Sequence, residues 1–149
     1  MTATRTLHVQ QTLVLPFTLP DVNELLAARG RRVGNGNEWA DWKARMQPVV
    51  AGLARRSLKP LRPGGIWLRF NWFEADERRD PLDVPGLAKK MIVDALCEPD
   101  RPGDKQDRAG GRASIIHCDG WHCIGGGTDH FAVDRERPRI EVVLYGVRS

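Results

Sequence analysis

Apolar residues occupy every second position from residue 66 to residue 73, the spacing that places side chains on one face of a β-strand. Ile66, Leu68, Phe70 and Trp72 share this face. Arg69 and Asn71 fall on the opposite face. This alternation is typical of a strand with one buried side, so it predicts a strand that packs on a hydrophobic core.

Other segments also have strand character. Residues 7–15 are rich in Thr, Val and Leu and predict a first strand that ends at Pro16. Residues 115–116 predict the start of another strand. Residues 131–133 and 139–145 predict a closing hairpin, because apolar and polar residues alternate along the second of them.

Helical spacing dominates the intervening segments. Residues 21–29 predict a short helix, and a second helix is predicted to begin after Asn37. The buried stripe of this second helix is predicted to be Trp39, Trp42, Met46, Val49, Val50 and Leu53. Pro48 lies inside the stripe and predicts a kink or a break. Pro85 suits the first turn of a third helix that runs to about Leu96.

Glycine, proline and charge mark the connections. Residues 30–36 predict a basic, glycine-rich loop, and residues 98–114 predict a mobile surface loop. Turns are predicted at residues 119–120 and 125–127. The resulting order of strand, helices, strand, helix and strands predicts an α+β fold, with a mixed β-sheet and helices packed mainly on one face. A chain of 149 residues suits a single domain over residues 1–149.

Charge is unevenly distributed along the chain. The formal net charge is only +4, but residues 29–62 hold nine Lys/Arg and two Asp/Glu, which is +7. Residues 74–107 hold six Lys/Arg and ten Asp/Glu, which is −4. A basic surface beside a carboxylate cluster suits a protein that attracts a polyanion and holds a metal ion against it. From charge alone, ordinary solvated helix faces are the favoured explanation.

The cysteines and the N-terminal segment bear on the compartment. There are three cysteines, Cys97, Cys118 and Cys123, and residues 1–10 are polar and have no signal-peptide core. An odd count without a secretion signal indicates a reducing compartment rather than a disulfide framework, so the cytoplasm is expected. No apolar run approaches the roughly 20 residues that a membrane-spanning helix needs, so no membrane partner is expected.

Carboxylates and lysines offer the first candidate chemistry. Asp80 and Asp83 follow the clearest strand, and Lys89 and Lys90 lie on the next helix. Two carboxylates can share a hard cation such as Mg²⁺, which activates water, and a lysine nearby can neutralise charge on a phosphate. From the spacing alone, a solvated acidic turn is the better explanation of these residues.

Residues 117–123 offer a second candidate, because four potential zinc ligands occur in seven residues. Their spacing is not that of a zinc ribbon, and no second cysteine pair completes a four-ligand set. Asp119, a lone carboxylate at a turn, is the better-placed residue as a third ligand for a hard metal. A third feature is the cluster of Arg29, Arg31 and Arg32 in the basic loop, which suits phosphate contact without base specificity.

Five short motifs follow one another between residues 19 and 142: LPDVNE at 19–24, RDPLD at 79–83, Lys90 with DAL at 94–96, DGW at 119–121, and DHFAVD with PRIEV at 129–142. This ordered set resembles the RusA family of Holliday-junction resolvases, especially its phage and prophage branch. The resemblance implies a homodimeric crossover junction endodeoxyribonuclease that needs Mg²⁺, with Mn²⁺ as a substitute. It also implies a bacterial origin, with a phage or prophage as the coding source.

The resemblance gives roles to individual residues. Asp80, Asp83 and Asp119 are expected to bind the metal and act in catalysis, and Lys90 is expected to assist at the phosphate. The residues expected to contact DNA are Asn23, Arg29, Arg31, Arg32, Arg79 and Lys89. The chain departs from the family at residues 81–82, which separate the two aspartates where the family has one residue, and at Val84, where the family has Asn.

Three hypotheses follow. The first is the Mg²⁺-dependent junction endonuclease, and the second is a branched-DNA binding protein whose altered aspartate spacing has removed cleavage. The third is a zinc-stabilised interaction module built on Cys118, His122, Cys123 and one further ligand.

Overall fold

A computed structural model describes residues 8–19, 32–33, 36–98 and 114–148. The strands are β1 (His8–Leu15), β2 (Arg32–Val33), β3 (Gly36–Asn37), β4 (Ile66–Glu74), β5 (Ile124–Val133) and β6 (Arg139–Val147). The helices within these residues are α1 (Glu38–Ser57) and α2 (Gly86–Leu96). Four strands form one sheet in the order β1-β6-β4-β5, and β2 pairs with β3.

The main sheet is mixed. β6 is antiparallel to both of its neighbours, β1 and β4, whereas β5 runs parallel to β4. In the register, Phe70 of β4 lies between Val142 of β6 and Asp129 of β5. The predicted α+β fold with a mixed sheet is therefore confirmed. The predicted closing hairpin is wrong, because β4 lies between β5 and β6 and separates the two strands.

The core lies between one face of the sheet and the two helices. On β4 the even positions from Ile66 to Trp72 are at most 4% exposed, as the alternation predicts. They pack in one cluster with residues of both helices, among them Val50 and Ala54 of α1 and Met91 of α2. The alternation therefore fixes which face of the sheet the helices cover.

Helix α1 differs from its prediction in two ways. It continues through Pro48 for a total of 20 residues instead of breaking there. Packing of its C-terminal half on the sheet compensates for the hydrogen bond that a proline cannot donate. Val50 is buried and Trp42, Met46 and Leu53 are half-buried, but Val49 is 46% exposed and does not belong to the buried stripe.

Three connections also differ from their predictions. Residues 32–33 and 36–37 form the short β2-β3 pair within the segment predicted to be a loop. Ile115 and Ile116 are buried but not in a strand, because their backbones bond across to Leu61 and Leu96. Residues 125–127 lie inside β5 rather than in a turn.

The glycines in β5 have a packing role. A Cβ on Gly127 would lie 2.5 Å from the carbonyl oxygen of Leu68, and one on Gly126 would lie 3.0 Å from Cε3 of Trp67. Position 127 therefore requires glycine because the β4 backbone approaches closely, whereas a Cβ at 126 meets only the half-exposed side chain of Trp67. The close approach of β4 explains why a glycine run reads as a turn although it forms a strand.

Two predicted elements, the helix at residues 21–29 and most of the mobile loop at residues 98–114, lie outside the described residues. Within the described ranges, neither helix has the length and apolar character needed to cross a membrane.

Candidate active-site cleft

An open cleft of about 470 Å³ lies between α2 and the strands β4 and β5. Its floor is apolar, from Leu68, Phe70 and Ile124, because β4 turns its buried face toward the helix here. Its polar side chains come from the first turns of α2 and from the turn that precedes β5. These polar residues are Lys89, Lys90 and Asp119.

Lys90 and Asp119 form an ion pair in this cleft. Lys90 also contacts Asp94, one helical turn further along α2, at 2.9 Å from Nζ to Oδ1. The hydrogen bond from Lys90 lowers the pKa of the Asp119 carboxyl, and the bonds to Asp119 and Asp94 raise the pKa of Lys90. Both side chains are about half exposed, so the charged pair remains accessible from solvent.

Asp94 connects the cleft to helix α1. Its Oδ2 lies 3.2 Å from Nζ of Lys43, and its Oδ1 faces Lys90. The side chains of Lys43, Asp94, Lys90 and Asp119 thus form a row of alternating charges across two helices and a turn. Sequence reasoning assigned no role to Asp94, although its spacing of four residues from Lys90 is a signal for a pair on one helix face.

Lys89 is held at the inner end of the cleft. Its Nζ lies 3.0 Å from Oδ2 of Asp129 on β5 and 5.0 Å above the ring of Phe70. Oδ1 of the same carboxylate accepts a hydrogen bond of 3.0 Å from Nε1 of Trp72, a side chain that is 2% exposed. Asp129 therefore orients a cleft lysine and also satisfies a buried indole N–H.

Asp80 and Asp83 lie in the turn before α2. The carboxylate of Asp80 accepts a hydrogen bond from the backbone N–H of Leu82 at 3.0 Å, and its carbonyl accepts one from Asp83 N at 2.9 Å. Asp119 instead contacts α2 at Lys90. Because each helical residue adds about 1.5 Å along the axis, this contact lies further along α2 than the turn that holds Asp80 and Asp83. Among the described residues, Asp80, Asp83 and Asp119 do not form a group of three potential ligands around one ion position.

Arg79 is engaged within the chain. Its guanidinium donates to the carboxylate of Glu74 and to the carbonyl of Leu19, each at 2.6 Å. These bonds join the segment after β1 to the end of β4. A contact of Arg79 with DNA stays a prediction.

The turn that carries Asp119 is closed by a disulfide between Cys118 and Cys123, whose Cα atoms are 5.9 Å apart. The expectation of cysteines without a disulfide is therefore wrong for this pair, because the turn at Gly120 brings two of the three together. His122 lies beside the bridge, with Nε2 3.4 Å from Sγ of Cys118. Trp121, at the tip of the same turn, is 99% exposed.

The remaining predicted DNA contacts are not part of this geometry. Asn23, Arg29 and Arg31 lie outside the described residues, and only the backbone of Arg32 is described.

Comparisons with known proteins assign no family. The chain matches no protein-family model, and it matches no curated protein. The functional interpretation therefore depends on the sequence motifs and on the geometry of the cleft.

Proposed function

We propose that the chain is a Mg²⁺-dependent, structure-specific endonuclease that resolves four-way DNA junctions by paired hydrolysis of phosphodiester bonds. The observation that supports this proposal is the Lys90–Asp119 pair in an open cleft, with Lys89 beside it. These residues belong to motifs at 79–96 and 119–121 that resemble the RusA family. Two such clefts, one from each chain of a homodimer, are needed to cut two strands.

The lysines are the phosphate-binding groups of the proposed site. Lys90 lies at the cleft rim, about half exposed, where a phosphate oxygen can take the position of one of its carboxylate partners. Lys89 is restrained by Asp129, so it supplies fixed positive potential rather than a mobile contact. Fixed donors aimed at developing negative charge lower the barrier without reorganising during the reaction.

The carboxylates fit a hard cation. Mg²⁺ in proteins keeps several waters and uses one or two carboxylates together with substrate phosphates. Asp119 offers such a carboxylate at the cleft rim, and Asp94 faces the same lysine nitrogen. A Mg²⁺ ion held by these carboxylates would supply Lewis-acid chemistry, polarising the phosphate and lowering the pKa of a bound water. Asp80 and Asp83 stay predicted ligands that no described contact joins to Asp119.

Trp121 is the base-contacting group of the proposal. A tryptophan that is 99% exposed, in a turn beside a phosphate-binding lysine, is placed to stack on an unpaired base. Such stacking contributes about 1–3 kcal/mol per base and is tolerant of sequence.

The test is incubation of a synthetic four-way junction with the chain and Mg²⁺ or Mn²⁺. We expect paired, symmetric nicks that are lost in Asp119→Asn and Lys90→Met. Asp41→Asn is the matched control, because Asp41 is an exposed residue of α1 that pairs with Arg45. Wild-type inertness with both ions, or full activity of Asp119→Asn, contradicts the proposal.

A second candidate is binding of branched DNA without cleavage. The observation that favours it is the Asp80 carboxylate, which accepts a hydrogen bond from its own turn while the three predicted metal ligands form no group. This candidate predicts tight, salt-sensitive binding of the junction and no product with either metal. Asp80→Asn then leaves the affinity unchanged.

The proposed setting is the bacterial cytoplasm, with a phage or prophage as the coding source. It is supported by the same motif set. In a cytosol that keeps thiols reduced, the Cys118–Cys123 bridge is in equilibrium with its dithiol form.

A further inference from the structure

We infer that the dithiol form of the chain holds a thiophilic divalent cation, Zn²⁺, between Cys118, His122 and Cys123, and that the disulfide form does not. This inference is independent of the proposed nuclease activity. Sequence spacing alone discounted such a site, because the ligands do not follow a zinc-ribbon pattern. The fold brings them together by a different route, a single tight turn.

The three ligand atoms already converge. One ligand atom from each residue lies within 4.8 Å of the other two, and this is the one group of three or more such residues in the described part of the chain. A tetrahedral Zn²⁺ with Zn–S distances of about 2.3 Å and Zn–N distances of about 2.0 Å separates its ligands by less than that value. Rotation of side chains is therefore enough to reach a coordination geometry.

The turn is built around these ligands. Gly120 lies against the half-buried Cys118 and the exposed His122, since a Cβ on it would lie 3.5 Å from Sγ of Cys118 and 3.5 Å from Cε1 of His122. Cys123 is fully buried, and its carbonyl accepts hydrogen bonds from Gly64 at 3.2 Å and Ile66 at 3.1 Å. One ligand is thus fixed at the edge of the sheet, and the other two face it from the solvent side.

The donor set selects the metal. Two thiolates and an imidazole favour Zn²⁺ over Mg²⁺, which prefers oxygen ligands. Three protein ligands leave a fourth position for water. The site therefore does not compete for the hard cation that the proposed function places at Asp119.

The redox state decides whether the ligands exist. A thiol reductant transfers two electrons and two protons to the Cys118–Cys123 disulfide, which yields two thiols while the reductant becomes a disulfide. Zn²⁺ then replaces the two thiol protons, which pass to solvent. A disulfide oxidant accepts two electrons from the two thiolates and becomes two thiols; the Cys118–Cys123 bond forms again, both sulfur ligands are lost and Zn²⁺ is released to solvent.

Asp119 lies inside the closed turn, so its placement depends on the same switch. The disulfide and the zinc complex both tie Cys118 to Cys123, whereas the metal-free dithiol does not. The backbone N–H groups of Cys123 and Ile124 each donate to the carbonyl of Gly120 at 3.0 Å. These two amides report whether the turn is closed.

The first experiment titrates the reduced, metal-free protein with Co²⁺ and then Zn²⁺ under anaerobic conditions. We expect one equivalent of Co²⁺ with a sulfur-to-metal charge-transfer band, its displacement by Zn²⁺, and no band for the oxidised protein. Since changing even a neighbour of a zinc ligand costs about 10–100-fold in affinity, Cys118→Ser and His122→Ala should each cost at least as much. Cys97→Ser keeps the cluster and is the matched control.

The second experiment measures amide hydrogen exchange at Cys123 and Ile124. Protection is expected in the oxidised and the zinc-loaded protein, with faster exchange in the metal-free dithiol. Replacement of the buried Cys123 could prevent folding. Cys118→Ser and His122→Ala remove ligands on the solvent side of the turn instead, so they still test the inference in that case. A reduced protein that binds no Co²⁺, equal binding by Cys118→Ser, or exchange that Zn²⁺ does not slow overturns the inference.

Discussion

Replacement of Asp129 by alanine tests how the cleft is supported. Its carboxylate accepts from the Trp72 indole and pairs with Lys89, each at 3.0 Å. Alanine leaves the indole N–H of Trp72 without an acceptor. Because Trp72 is only 2% exposed, this unsatisfied buried donor costs about 1–3 kcal/mol. Loss of the partly exposed ion pair adds about 0.2–1 kcal/mol. We therefore expect Asp129→Ala to lower the free energy of unfolding by roughly 2 kcal/mol.

Asp129→Asn separates the two contributions. The amide oxygen can still accept from Trp72, but the charge opposite Lys89 is gone, so the loss should be only about 0.5–1 kcal/mol. Asp41→Ala is the control for removal of an ordinary surface pair. Asp41 is 53% exposed and pairs with Arg45 on the same helix, where alanine is a better helix former, so its effect should stay within about 0.5 kcal/mol.

The measurement is urea unfolding followed by far-ultraviolet circular dichroism. With a slope of about 2 kcal/mol per molar urea, a loss of 2 kcal/mol shifts the midpoint by roughly 1 M. The slope itself should not change, since the same surface is exposed on unfolding. If Asp129→Ala shifts the midpoint no further than Asp41→Ala does, the carboxylate is not what satisfies Trp72, and the account of how Asp129 supports the cleft is wrong.

Three further predictions concern the cleft and its surroundings. Lys90→Met should raise the pKa of Asp119 toward its ordinary value in a carbon-detected NMR titration, because the hydrogen bond that lowers it is removed; an unchanged pKa contradicts this. The pair's contribution to stability is present above the ordinary pKa of an aspartate and is lost as the pH falls through the lowered one. Burial raises the pKa of Cys97 to about 12, so iodoacetamide at pH 8 should modify this thiol only after unfolding; rapid labelling of the native chain argues against it. Gly127→Ala should cost about 1–3 kcal/mol in urea unfolding because its Cβ meets the backbone of Leu68, and a neutral effect shows that β4 can yield there.

The parts of the fold that sequence predicted are those controlled by local periodicity. β4, β6 and α2 follow from alternation or from a proline at a helix start, and their bounds in the structure agree with that reading. Strand order was not predictable in this way, because it depends on which edges meet: β4 inserts between β5 and β6. The glycine run of β5 was predicted to be a turn. Glycine occurs there because β4 approaches closely, and a contact between segments that are distant in the sequence is not visible in a local pattern.

The candidate site shows the same division. Lys90 and Asp119 were selected from separate motifs and meet in the cleft, whereas the convergence of Asp80 and Asp83 with Asp119 required a turn geometry that spacing does not determine. The disulfide was missed because an odd cysteine count says nothing about which two lie 5.9 Å apart.

In the proposed function, the row of alternating charges lets the cleft keep its lysines paired with carboxylates in the free protein and still bind a polyanion. Each cation in it already has a carboxylate, so the metal-free protein has no unpaired charge to desolvate. When a phosphate approaches Lys90, the lysine can exchange Asp119 for a phosphate oxygen and still keep Asp94, which is tied to α1 through Lys43. Asp119 is then released beside the same phosphate, where its carboxylate would be available to hold a hard cation. In the proposed mechanism, substrate binding therefore creates the metal site rather than meeting one already assembled.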